Sequence, residues 1–142
     1  MLTMLSLGAR SQNASRLSVV RERILQAKLV EIRRSLNLDQ ATMQRLRPIY
    51  MEYEREISGV GANNQRRMMS ANTDTLTAQE AERLVMVQLE NAKRLIDIRE
   101  KYYHKFKTVL TPQQIVRLYQ TEAQIRQKVT QELRRRSMER FW

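Results

Sequence analysis

From Ala78 to Trp142 this chain contains no glycine and a single proline, Pro112. Three glycines and two prolines in 142 residues are too few turn formers for a sheet protein, whose strands must reverse repeatedly. The apolar residues instead keep the helical period of three and four. They recur at Leu17, Val20, Ile24, Leu25, Leu29, Ile32 and Leu36, and again at Met43, Leu46, Ile49, Tyr50, Tyr53 and Ile57. A third stripe holds Leu84, Val85, Leu89, Ala92, Leu95, Ile96, Ile98, Tyr102, Phe106 and Val109, and a fourth Ile115, Leu118, Tyr119, Ile125, Val129 and Leu133. The expected fold is all-α, with four helices near 16–36, 40–57, 78–109 and 112–139. Two of them are long, and they pack as elongated helical hairpins. Pro48 falls inside the second, where it removes a backbone bond and predicts a kink or break near Gln44–Arg47. A helix of ~30 residues is about 45 Å long. It needs an antiparallel neighbour and a second copy of the chain to cover its apolar edge.

The helix starts are marked three times. Leu38-Asp39-Gln40-Ala41-Thr42, Leu76-Thr77-Ala78-Gln79-Glu80 and Leu110-Thr111-Pro112-Gln113-Gln114 each place a capping oxygen behind a leucine. Asp39, Thr77 and Thr111 can accept from the orphan N–H groups of a new first turn. Glu80 and Gln114 stand three residues on and can bond back, completing a capping box. Pro112 is at the first helical position, where a missing N–H costs nothing. Leu38, Leu76 and Leu110 can staple the entering chain to the first turn. Asn37 can end the first helix.

Residues 16–142 are expected as a single helical domain. Within it, residues 58–75 hold two of the glycines and no apolar period, which predicts a flexible polar linker. Residues 1–15 suggest a disordered start or the remnant of a secretory signal. Met1–Leu7 is apolar, and Ala9 and Ser11 occupy the small positions of a cleavage site, but the basic flank is missing. No stretch reaches the ~20 apolar residues of a membrane span.

The net charge is +11, from 26 basic and 15 acidic residues. The excess sits on the first and last helices, with six basic against two acidic residues over 16–38 and seven against three over 111–142. Such a field favours polyanions, anionic membranes or acidic protein surfaces. Arg134, Arg135 and Arg136 suit a helix C-terminus, yet three adjacent guanidiniums point three ways and exceed what capping needs. Arg66, Arg67, Met68 and Met69 put flexible thioethers beside guanidinium groups in the linker, the composition of an adaptable contact surface. These seven residues are the candidate partner-binding set.

Catalytic chemistry is hard to assemble. There is no cysteine, so neither a disulfide framework nor a thiol nucleophile exists. The one histidine, His104, shares a helix face with Glu100, too little for a metal site, and the Glu-x-x-His pairs of helical di-metal centres do not occur. No base–nucleophile set and no glycine-rich phosphate loop are present. A non-enzyme without cofactor, metal or small-molecule substrate is expected.

The three capped segments also carry a family resemblance. Leu110–Gln114 matches the L-T-x-x-Q motif of the Spy/CpxP family of periplasmic stress proteins, Leu76–Glu80 matches all but its last position, and Leu38–Thr42 is a degenerate copy. Arg47-Pro48-Ile49-Tyr50 with Glu52-Tyr53, and Ile98 through Phe106, resemble the family's surrounding pattern. The resemblance spans roughly residues 16–136. It implies a dimeric helical cradle in a Gram-negative envelope that binds unfolded proteins without ATP or restrains an envelope stress sensor. Some relatives bind zinc, nickel or cobalt through His, Met and Glu. The expected function is therefore a non-enzymatic envelope chaperone or stress adaptor, homodimeric, holding flexible clients or a sensor domain on a basic helical surface. Two alternatives remain: a cytoplasmic helical protein that binds nucleic acid, and a metal-sensing or metal-buffering relative.

Overall fold

The structure is a computed structural model. It describes the backbone of residues 5–140 and the side chains of residues 15–140. The fold is all-α: α1 (Leu5–Leu36), α2 (Gln40–Ser58), α3 (Ala62–Ser70), α4 (Ala78–Phe106) and α5 (Pro112–Glu139). The apolar start and its small-residue site, residues 1–11, lie outside the described side chains. The backbone of α1 begins at Leu5, well before the expected Arg16.

All three marked starts are used. Asp39 caps α2: its Oδ1 accepts from the Thr42 N–H at 2.7 Å and its carbonyl accepts from the Met43 N–H at 3.0 Å. Thr77 and Glu80 form both arms of a capping box on α4, with Glu80 N–H donating to Thr77 Oγ1 at 3.1 Å and Thr77 N–H donating to Glu80 Oε2 at 3.3 Å. α5 opens at Pro112, behind Thr111. Leu38 and Leu110, the leucines before two of the caps, are buried, and Leu76 is half-buried.

α1 ends as its sequence predicts. Asn37 takes a left-handed conformation with φ 52°, and Leu38 N–H reaches back to the Arg33 carbonyl at 3.0 Å while Asn37 N–H reaches Arg34 at 3.2 Å. That pair of bonds is a Schellman stop, and asparagine tolerates the required positive φ better than most residues. α2 runs unbroken through Pro48. Proline offers no N–H to the Gln44 carbonyl, and Gln44 is exposed, so water can serve that oxygen.

The expected linker is where the reading needs correction. Residues 62–70 are helical, forming α3, so α2 and α3 make one helical stretch over residues 40–70 bent at 59–61, and the four expected helical stretches hold. Gly61 precedes α3 with φ 84°, a conformation that a side chain would strain. α3 lies on α4, and Asn64 Nδ2 donates to the Leu84 carbonyl at 3.3 Å. None of its residues is buried.

Within the span expected as one domain, the chain forms two compact units. The first comprises residues up to Met43 together with those from Pro112 onward, and the second residues 44–111. In the first unit α1 packs on α5. Ser35 pairs with Thr121 through their hydroxyls at 2.7 Å, and Arg117 donates to the Ser35 carbonyl at 3.3 Å. Lys128 acts on Glu31 through space, so the two helices run antiparallel. The buried apolar side chains of this unit are Leu29, Ile32, Leu36, Leu38, Ile115 and Leu118. Thr121 is buried among them, and its hydroxyl donates to the Arg117 carbonyl at 2.8 Å, which leaves Ser35 to supply the other proton.

The second unit is held by rings. Tyr53 contacts both Tyr102 and Phe106 with centroids 5.4 Å apart, and Tyr50 lies 6.0 Å from Tyr53. Tilted and edge-on pairs of this kind add to what burial alone contributes. Outside the rings, Lys101 meets Glu56 at 2.8 Å and Lys105 meets Glu52 at 3.5 Å, while both lysine ammonium groups lie over the Tyr102 ring. Those pairs set α2 and α4 antiparallel. The Lys101 hydrogen bond holds the Glu56 carboxyl below its usual range, and burial pushes the Tyr102 hydroxyl up.

Candidate functional site

In each unit the apolar stripes extend past the point where they are sealed. Along α1, Leu29, Ile32 and Leu36 are buried, while Leu17, Val20 and Ile24, set about a third of a turn round the helix from them, are about half exposed. Along α5, Ile115 and Leu118 are buried, while Val129 and Leu133 are bare, Leu133 at 61%. Because the two helices are antiparallel, both bare segments belong to the same end of the α1–α5 pair. Two helices make one layer, and one layer cannot cover a stripe on both sides. Basic residues crowd this end: Arg16, Arg21, Arg23 and Lys28 on α1, and Arg126, Lys128, Arg134 and Arg140 on α5.

The arginine run at the end of α5 is less free than its sequence suggests. Arg135 forms a two-pronged contact to Glu132 at 2.7 and 3.2 Å and reaches Glu139 at 2.7 Å. Arg136 also reaches Glu132, at 3.1 Å. With two guanidiniums on it, the Glu132 carboxyl falls to about 2. Two of the three candidate arginines are thus partly neutralised by their own helix. Arg134 faces elsewhere and lines a shallow groove of about 450 Å3 with Thr130, Leu133, Ser137 and Met138.

The other candidate set, Arg66–Met69, lies in the second unit on α3. Four successive helical residues point in four directions, so they do not form one patch. Arg66 donates to Asn63 on its own helix. Met69 is 77% exposed, Met68 is half-buried, and Arg67 lines a groove of about 750 Å3 between α3 and α4. The far wall of that groove is Arg83, Leu84, Val87 and Asn91 of α4, of which only Leu84 belongs to the apolar stripe read from the sequence. Their signal was present: residues 62–70 contain no breaker and several strong helix formers. A helix there must lie back on the residues just after the Thr77 cap.

α4 presents a second apolar face, which touches the α3 side only at Ala92. Val85, Leu89 and Ile96 are exposed, and with Ala92 they recur at spacings of four, three and four. Of the structural cap set, Asp39, Thr77 and Glu80 make the bonds described above, Leu110 is buried, and Thr111 and Gln114 flank the start of α5. His104 and Glu100 are both exposed on α4. Among the described residues no group of three or more His, Cys, Asp or Glu side chains could hold a metal ion, and no helix is long and apolar enough to cross a membrane.

Comparison with protein-family models, with curated proteins and with solved structures finds no match to this chain.

Proposed function

We propose that the protein is a non-enzymatic binding protein that holds unfolded or flexible clients, or the flexible part of a sensor domain, on basic helical faces. The observation that carries this is the group of bare apolar residues Leu17, Val20 and Ile24 with Val129 and Leu133, set among arginines and lysines at one end of the α1–α5 pair. Complete burial of such a side chain contributes ~1.5–3 kcal/mol. Covering the exposed half of each gives about 1 kcal/mol. A row of small gains suits capture of many loosely related segments, and the positive field speeds encounter with acidic ones.

A homodimer fits the same reading through a different face. The α4 stripe Val85–Leu89–Ala92–Ile96 has the spacing of a two-helix seam. Beside it on the helix stand Glu82 and Glu100 against Lys93 and Arg99, a balanced set that tolerates self-association. The basic α1–α5 end would repel its own copy. An envelope location is part of the proposal and is supported by the L-T-x-x-Q resemblance. Fusion of the N-terminal segment to a reporter active only after export tests it.

The function is tested by light scattering of a chemically denatured acidic enzyme diluted into buffer with and without the purified chain. Suppression of aggregation is expected at low salt, and reduced suppression at high salt because exposed charges are screened. Absence of suppression at both would refute it. Tight, steeply salt-dependent binding to DNA would favour a nucleic-acid role instead.

A further inference from the structure

The groove between α3 and α4 has a chemistry of its own. Arg67 stands on one wall and Arg83 on the other, and among the described residues neither guanidinium forms an ion pair. Glu80, the one carboxylate lining the groove, already accepts from the Thr77 N–H. Leu76, Leu84 and Val87 give a half-buried apolar lining between the charges. The groove is open to solvent along one side, and its volume of about 750 Å3 is large enough for a ligand bigger than a single ion, since ligand sites span roughly 300–1,000 Å3. Gly61 stands at one end with a φ of 84°, where a side chain would be strained, although a Cβ there would make only ordinary contact, 3.7 Å from Asn91.

We propose that this groove takes a carboxylate carried on an apolar peptide segment, with Arg67 and Arg83 gripping the carboxylate and Leu84 and Val87 packing its apolar neighbour. Guanidinium groups match carboxylates in fork geometry and hold them with two parallel bonds. The apolar lining separates this ligand from a bare inorganic anion, which would gain nothing from it. The inference rests on the client-binding reading for its partner, and it supplies what that reading lacks, a preference for acidic residues flanked by apolar ones.

The test is fluorescence anisotropy of a labelled short peptide with one glutamate between two leucines, titrated with the full chain. Replacing the peptide's glutamate by glutamine is expected to weaken binding roughly tenfold, as is the paired variant Arg67→Glu with Arg83→Glu. Arg67→Lys with Arg83→Lys keeps the charge but loses the fork, and is expected to fall between. Arg45→Glu with Arg99→Glu makes the same change in net charge at exposed positions elsewhere, and is expected to change affinity less than twofold. Equal affinity for the glutamate and glutamine peptides overturns the proposal without relying on any protein variant. So does equal weakening by the groove pair and the control pair, or displacement of the peptide by a single-stranded oligonucleotide in preference to free acidic peptide. Aggregation suppression is measured in parallel. Suppression by the native chain without peptide selectivity sinks the groove alone. Peptide selectivity without suppression sinks the client reading and leaves the groove as a carboxylate site.

Discussion

Thr77 and Glu80 satisfy two orphan N–H groups with side chains four positions inside one motif, which is why the start of α4 could be read from five letters. The same holds at Asp39 and at the Asn37 stop: capping is local, so the sequence carries it complete. Thr77→Ala removes one arm of the box and strands the other. A loss of about 1 kcal/mol is expected in a urea melt, against little change for Thr75→Ala, which lies outside the box. The pairing of Arg135 and Arg136 with Glu132 was equally local, at spacings of three and four. The arginine run reads as free only when its own faces are considered without Glu132 and Glu139, the carboxylates three and four residues away. Glu132 sets a pH window. Its folded carboxyl is lowered from 4.5 to about 2, so its contribution is complete above pH 4.5 and is lost as the pH falls toward 2. Circular dichroism is expected to show helix loss in that interval beyond the loss shown by Glu132→Gln, whose baseline lacks this step.

At the scale of the element, the long helices were legible because apolar residues kept the period over many turns, and because no breaker stood in α4 or beyond the first residue of α5. α3 was missed for the converse reason. It buries nothing, so it leaves no apolar stripe, and the glycines at 59 and 61 in front of it read as linker. A helix with no buried residue is held by little beyond its own backbone and the Asn64 bond to α4. Hydrogen exchange is expected to be fast across Ala62–Ser70 and slow across Ile98–Phe106, where Tyr102 and Phe106 are sealed. Gly61→Ala, forced to positive φ, is expected to speed α3 exchange further at a cost of roughly 1–2 kcal/mol while leaving the aromatic end of α4 unchanged. Similar protection in α3 and in that end would contradict this picture.

For the whole molecule, the sequence made plain that paired helices would leave apolar edges, but not where the sealing would stop. That depends on which half of α1 meets which half of α5, a tertiary fact no local pattern encodes. The outward face of α4 leads to an expectation about assembly. Sedimentation equilibrium is expected to give a dimer, and Leu89→Lys to shift it to monomer without lowering helicity. A monomer at all concentrations would remove the α4 seam from the account. The stripe at the basic end is tested separately, by replacing Leu17, Ile24, Val129 and Leu133 together with serine. All four are exposed, so the fold is expected to survive, which circular dichroism can verify. The decisive measurement is light scattering of a denatured client with this variant beside the native chain: the native chain is expected to suppress aggregation and the variant to lose most of that effect, whereas equal suppression by both would contradict the assignment of client binding to these residues.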